Sequence, residues 1–375
     1  MLVSAVVPLS VWSSFSAFYR FFMQITKKSS FPWTGYVGLV LGIILIVYLF
    51  SQLDLRRSYE LISSIGVSSA YILLPFLALH LLETYAWIMV FPRSVAVIPF
   101  FKILKIQMIA ETVSMTLPAG VAVGEPLRPY LCGRFMGIAV PAGVASVAVR
   151  KLMLGMAQGL YTILGALAGL SVLEETSLKL LGFEGLGSIV VLIGVVVFLL
   201  FTSLLFLLLN GQAAQNVHRL LMLVPFSKVK TWLLAKESGF HDTDEELRSY
   251  RGSYTRFLPV LFLYLLAWST LAIESYTILR LLGITITFLE VLVIDIALTM
   301  LRTLFFFIPS GLGIQDLGYL AFFEAIGIPE FRLYGGAFVL LRRLKEVFWY
   351  AAGYAVMFFS GVHLHDAEGV TSVEP

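Results

Sequence analysis

Long apolar runs separated by short charged segments make up most of the chain. A helix crossing the hydrocarbon needs about 20 apolar residues, because no lipid-exposed backbone group can go unpaired. Runs at about 33–51, 70–91, 138–170, 187–209, 257–282 and 334–361 meet that length. Two shorter runs, 103–117 and 291–308, end on Pro and Gly and then pass into a second short helical segment. The pattern predicts an all-α polytopic membrane protein with about six full spans and two re-entrant helical hairpins.

The two interrupted runs belong to an internal repeat. Glu83-Thr84-Tyr85 lies 35 residues before Pro118, and Glu274-Ser275-Tyr276 lies 35 residues before Pro309, an offset of 191 in both cases. At that offset Pro118-Ala119-Gly120 aligns with Pro309-Ser310-Gly311, and Glu125 with Asp316. A Gly-Ile pair follows each motif (Gly137-Ile138, Gly327-Ile328), and then a long run with a basic pair, Arg150-Lys151 or Arg342-Arg343, one residue out of register. Pro118 and Pro309 disfavour continuation of the preceding helix, while Gly120, Gly311 and Gly313 permit a turn. These are the expected re-entrant tips, and non-helical backbone at that depth requires a protein-lined cavity. Gly120-x-x-x-Gly124 is read as backbone flexibility in the break.

Loop charges orient the chain. Arg219, Lys228, Lys230, Lys236, Arg248, Arg251 and Arg256 place 211–256 on the cytoplasmic side, whereas Glu174, Glu175 and Glu184 against Lys179 suit the outside. Counting spans puts both termini in the cytoplasm and makes the two units inverted-topology repeats, a frequent transporter plan. Arg56 and Arg57 then fall outside, a misfit softened by Asp54 and Glu60. The organisation expected is an N-terminal interfacial segment (1–31), a first half (32–210) containing repeat 1 (about 75–170), a cytoplasmic loop (211–256) with a solvated stretch at 240–256, repeat 2 (257–361) and a tail (362–375). The setting is the cell inner membrane.

Composition agrees: 59% of the 375 residues are apolar and 13% charged, with mean hydropathy +0.92. The formal charge of +3 reads as membrane topology, and no nucleic-acid partner is expected. The single cysteine, Cys132, excludes an internal disulfide and reads as a packing residue. Histidines lack metal-ligand spacing, so no metal and no cofactor are expected, and no catalytic motif of a hydrolase, metalloprotease or phosphate-binding loop is present.

Ionisable groups within spans cost free energy and therefore mark function. Glu111, Glu125, Arg128 and Arg150 surround the first break; Asp295, Arg302, Asp316 and Arg342 surround the second. The arginines offer guanidinium forks to a phosphate headgroup, or else pair with the acids to join the repeats. Glu111 and Arg302 are equivalent at offset 191 and are expected to pair across the repeat interface. Glu83 and Glu274, mid-span, are candidates for proton coupling, and His80 reads as a packed polar residue.

These residues carry a resemblance. Leu117-Pro118-Ala119-Gly120 through Gly124-Glu125 and Arg128 with Arg150, and Ile308-Pro309-Ser310-Gly311-Leu312-Gly313 with Asp316 and Arg342, are similar to the signatures of the transmembrane, flippase-like domain of lysylphosphatidylglycerol synthases. The chain resembles a stand-alone member over most of 33–361. The family often has Arg-Glu where this chain has Gln315-Asp316. The resemblance implies translocation of a phospholipid or other lipid through a polar cavity, with Glu125, Arg128, Arg150, Asp316 and Arg342 as substrate-binding residues; Arg302 and Glu111 join that set by their charge within the spans. The soluble aminoacyltransferase domain is missing, so the chain is not expected to make lysyl-lipid itself. Partners implied are a membrane lipid, the bilayer, and a second copy or a separate lipid-synthesising enzyme. Alternatives from other classes are a membrane-embedded transferase or accessory subunit for lipid-linked glycans, and a small-ion or metabolite transporter.

Overall fold

The first helices follow the apolar runs closely. The computed structural model describes residues 33–117, 121–210, 212–221, 237–252, 254–305, 308 and 311–362. The 1–31 segment, the 363–375 tail, and Pro118, Gly120 and Pro309 at the expected tips lie outside the described residues. Every regular element among those described is helical: α1 (Trp33–Gln52), α2 (Leu55–Ile65), a 3-10 turn (Gly66–Ile72) leading into α3 (Leu73–Met89), α4 (Phe100–Thr116), α5 (Val121–Met136), α6 (Val140–Ala168), α7 (Leu170–Leu181), α8 (Leu186–Asn210), α9 (Ala213–Leu221), α10 (Glu237–Arg248), α11 (Phe257–Leu281), α12 (Phe288–Leu304), α13 (Ile314–Ile326) and α14 (Phe331–Phe359).

Four helical runs among the described residues are long and apolar enough to cross a membrane: Leu55–Met89, α6, α8 and α11. The outer face of α8 confirms the solvent it is built for. Leu192, Val196, Leu199, Leu200, Phe206 and Leu207 are all more than half exposed, an apolar stripe that water would penalise and lipid accepts. The chain is a multi-pass membrane protein. α14 has the 29 residues of α6, but its middle carries Arg342, Arg343, Lys345 and Glu346, which turn inward.

The series α3–α4–α5–α6 recurs as α11–α12–α13–α14. α6 and α14 both have 29 residues and begin 191 residues apart, at Val140 and Phe331; α4 and α12 both have 17, beginning at Phe100 and Phe288. Packing recurs too. α4 packs on α14 of the other unit as α12 packs on α6, and α3 lies against α11. Glycines set the first two contacts: a Cβ on Gly353 would meet Thr112 Oγ1 at 1.9 Å, and one on Gly165 would meet Ile296 Cδ1 at 2.0 Å.

The repeated Gly-Ile pair is a helix stop. Gly137 (φ 69°) and Gly327 (φ 83°) are left-handed, and the following Ile138 and Ile328 amides reach back to the carbonyls of Cys132 and Phe323 at 3.4 and 2.9 Å. The Ile328 bond is the six-to-one bond of a glycine-terminated helix and the Ile138 bond reaches one residue further back; each satisfies a carbonyl at the helix end.

Two sequence readings change. Gly124 lies inside α5, and a Cβ there would stand 1.9 Å from Ser114 Oγ and 2.6 Å from the Ala110 carbonyl. The position serves close approach of α5 to α4, not flexibility. The 240–256 stretch is not a solvated loop. Helix α10 packs on α6 and buries Thr243, Asp244 and Leu247, because Asp244 accepts from the Ala214 and Gln215 amides at 2.8 and 3.0 Å and so caps the start of α9. Tyr250 follows, its hydroxyl bonded to the Val90 carbonyl; burial pushes this phenol up from its ordinary pKa.

Candidate functional site

The first unit gathers its polar side chains by helical spacing. Glu83 and Trp87 on α3, and Gln107 and Glu111 on α4, are four residues apart; Glu125 and Arg128 on α5 are three apart, so each pair shares a face. Arg150 on α6 donates to Glu83 Oε2 at 2.7 Å and to Gln107 Oε1 at 3.2 Å. Arg128, fully buried, lies 3.2 Å from both Glu111 Oε2 and Glu125 Oε2 and donates to the Gln107 carbonyl, while the Gln107 amide donates to Glu83. Lys151 holds Glu125 Oε1 at 2.7 Å. The Trp87 ring stands 5.4 Å from Arg128 and 5.6 Å from Arg150, and its indole N–H donates to Ser146. Gln107 therefore joins two cations to one carboxylate, which keeps two guanidinium groups side by side without bulk water.

The second unit repeats part of this arrangement. Arg343 meets Asp316 at 2.5 Å as Lys151 meets Glu125, which identifies Arg342-Arg343 with Arg150-Lys151. Asp316 also accepts from the Gly313 amide at 3.0 Å, fixing the first turn of α13, where Gly311 and Gly313 take φ of 61° and 77°. Arg343 reaches Glu346 at 2.5 Å, Lys345 reaches Glu274 at 2.9 Å, and Arg342 donates to Gln315 Oε1 at 3.2 Å over the Tyr319 ring, 4.8 Å away. Asp295 accepts from Tyr161 of the first unit at 3.1 Å.

A cavity of about 260 Å³ lies between the units. Its charged wall comprises Glu83, Glu111, Glu125, Arg150 and Lys151 from the first and Glu274, Asp295, Arg302, Arg342, Lys345 and Glu346 from the second, with Phe76, Phe201, Trp268 and Tyr350 among its apolar parts. The chamber is shared, with charges contributed by equivalent helices of both units.

A family model, the lysylphosphatidylglycerol synthase TM region, matches residues 36–353. The chain belongs to this family. No curated protein and no solved structure matches the chain. The stretch matched to the lysylphosphatidylglycerol synthase TM region holds the first unit, the second as far as residue 353 of α14, and every charged residue of the cavity wall.

Of the residues singled out by sequence, Glu83, Glu111, Glu125, Arg150, Glu274, Asp295, Arg302 and Arg342 face the cavity. Arg128 and Asp316 sit behind its wall as ion-pair anchors. Glu83 and Glu274, the candidates for proton coupling, are each tied to a cation, Arg150 and Lys345. The expected Glu111–Arg302 pair does not form: Glu111 goes to Arg128. The α4 and α12 helices start 188 residues apart instead of 191, so Arg302 corresponds to Ser114 and Glu111 to Thr299. The same shift makes Asp295 the counterpart of Gln107. His80 packs between Phe76 and Trp349 with ring centroids at 4.8 and 5.4 Å, and Cys132 is fully buried.

Sequence reasoning missed Gln107, Lys345 and Glu346. Gln107 is neutral and escapes any search for charge. Lys345 and Glu346 were visible as i+3 and i+4 neighbours of Arg342 in an otherwise apolar run.

Proposed function

We propose that this protein is a lipid translocator of the cell inner membrane, a transporter and not an enzyme, that passes a polar headgroup through the chamber between its two units while the acyl chains stay in lipid. The observation that carries this reading is the cavity itself, walled by charges from both units and bounded by apolar helices. A charged group in hydrocarbon costs on the order of 2.5–3.5 kcal/mol on insertion scales; a chamber lined by guanidinium and carboxylate groups offsets that cost.

Two further contacts support an inverted, re-entrant arrangement. The start of α4 meets the end of α5, with Lys102 donating to the Phe135 carbonyl at 2.8 Å; α4 enters and α5 returns, each helix about 25 Å long or less at 1.5 Å per residue. That open end lies by Gly361 after α14, whose carbonyl accepts from Arg134 at 2.6 Å. The open end of the second hairpin, around Gly283, Glu290 and Ile328, lies by the start of α14. The hairpins thus open at opposite ends of one long helix.

The charge distribution favours a cytoplasmic position for the first of these ends. Arg256 and Arg251 bind the carbonyls of Met89 and Leu209 there at 3.1 and 3.0 Å. At the other end Arg57 pairs with Glu330 at 3.1 Å and Arg56 with Glu60 at 3.3 Å, which supports an outer position for this end despite its two basic residues. In this reading the units rock against each other and expose the chamber to each side in turn.

Reconstitution into liposomes carrying fluorescent lipids with anionic, zwitterionic and polyprenyl-linked headgroups tests the proposal. Faster transbilayer movement of at least one class is expected; no acceleration for any of them overturns the reading.

A further inference from the structure

Five of the six acids on the cavity wall are held by a bonded cation. Glu83 meets Arg150 at 2.7 Å, Glu111 meets Arg128 at 3.2 Å, Glu125 meets Lys151 at 2.7 Å, Glu274 meets Lys345 at 2.9 Å and Glu346 meets Arg343 at 2.5 Å. Asp295 is the sixth. It is 4% exposed and makes no ion pair among the described residues. Its hydrogen bond there comes from the neutral Tyr161 hydroxyl at 3.1 Å.

The groups around Asp295 influence it without binding it. Its own helix carries Arg302, two turns on; α14 brings Arg342, α11 brings Glu274, α6 brings Tyr161 and α13 brings Tyr319, all within electrostatic reach. On α7, which also packs against α12, Glu174 accepts from the Gly185 amide and Glu175 from Lys179. With Asp295 ionised the second unit is matched in charge: Arg302, Arg342, Arg343 and Lys345 face Glu274, Asp295, Asp316 and Glu346. The first unit shows what the position needs for packing. Asp295 corresponds to Gln107, a neutral amide that joins its neighbours by hydrogen bonds alone. A neutral group therefore suffices, and what the aspartate adds is a proton that can come and go. Protonating any of the other five acids breaks an ion pair, whereas protonating Asp295 breaks none. The Tyr161 hydroxyl bonds to either state, donating to the carboxylate or accepting from the acid.

We infer that Asp295 is a proton-carrying site and that the protein passes protons along with its cargo. The role expected of Glu83 and Glu274 falls to an acid that no cation holds. The Asp295 carboxylate takes a proton from chamber water while the chamber faces one side, keeps it as the neutral acid against Tyr161, and returns it to water when the chamber faces the other. One proton changes the charge of the chamber by one, and the Tyr161 bond spans the interface of the two units. The proton is thereby linked both to what the chamber holds and to how its walls meet, and that linkage is reciprocal. The translocator reading supplies only the cargo; the proton site rests on Asp295 itself.

The test uses the full-length protein in vesicles of phosphatidylethanolamine and phosphatidylglycerol that hold a pH-sensitive dye, with an inside-negative potassium diffusion potential set by valinomycin. Faster internal acidification than in protein-free vesicles is expected. Asp295→Asn, whose amide copies Gln107, should keep the wild-type elution profile and fall to the protein-free rate. Asp295→Glu should retain part of the rate, and Glu245→Gln, an exposed position on α10, all of it. No protein-dependent acidification, or full acidification in Asp295→Asn, overturns the proton site. Equal loss in Asp295→Glu, which keeps the titrating group, would assign the residue a packing role and overturn it too. Fluorescent lipids in the same vesicles separate the two readings. Asp295-dependent acidification without movement of any lipid leaves the proton site standing and removes the translocator. Lipid movement indifferent both to an imposed pH gradient and to Asp295→Asn leaves the translocator standing and removes the proton site.

Discussion

Arg150 and Glu83 meet at 2.7 Å across the interface of α6 and α3, 67 residues apart in sequence and both almost wholly buried. Each is a charge taken out of water, and each is tolerable because the other is there. Removing one partner leaves an uncompensated buried charge, a loss of about 3–5 kcal/mol. Glu83→Gln and Arg150→Gln should each lower the thermal unfolding temperature in detergent clearly, and the double variant should recover part of the loss. Strictly additive losses would mean that the pair is not coupled.

Gly124 tests the close approach of α5 to α4. A methyl group there meets both the Ser114 side chain and the Ala110 carbonyl, and a backbone atom cannot give way as a rotamer can. Gly124→Ala should cost about 1–3 kcal/mol. Adding Ser114→Ala should not restore stability, because the carbonyl remains. Full restoration would show that the side chain alone sets the contact.

Asp244 joins α10 to the first turn of α9 through two amides. Asp244→Ala should cost about 1 kcal/mol of local stability and speed limited proteolysis within 211–256, while the main unfolding transition of the bundle stays in place. Unchanged cleavage would argue against the cap.

Orientation is open to labelling. With Cys132 replaced by Ala, a cysteine at Lys179 should react with an impermeant maleimide from the outside only, and one at Asp242 from the cytoplasm only. Lys179 labelled from the cytoplasm would overturn the inverted arrangement.

The helices were legible because their signals are local. Apolar runs gave α6, α8 and α11 to within a few residues, whereas the Gly-Ile pairs were legible only as a repeated motif, and their role as helix stops rests on the left-handed glycines and back-bonded isoleucine amides of the structure. The repeat was legible because α6 and α14 keep the offset of 191. The detailed pairing was not. The three-residue slip of α12 against α4 moves Arg302 opposite Ser114 and separates it from Glu111, and a slip of that kind is decided by loops and packing, not by motif spacing. Gln107 was invisible for a related reason: a neutral amide gives no charge signal, and its part in the network exists only once Glu83, Arg128 and Arg150 surround it. The membership of α10 in the packed structure depended on Asp244, whose partners are amides roughly 30 residues away.

The central claim is that lipid moves through the chamber as the units shift, and a reversible lock between the units tests it most directly. A Cβ built on Gly353 of α14 would stand 2.9 Å from Thr112 Cβ of α4, closer than the spacing in a disulfide, so α14 and α4 part by about 1 Å to accept the bridge. In the Cys132→Ala background, Thr112→Cys with Gly353→Cys should stop movement of a fluorescent phospholipid across proteoliposomes when oxidised and recover it on reduction. Undiminished movement with the cross-link complete would contradict the account.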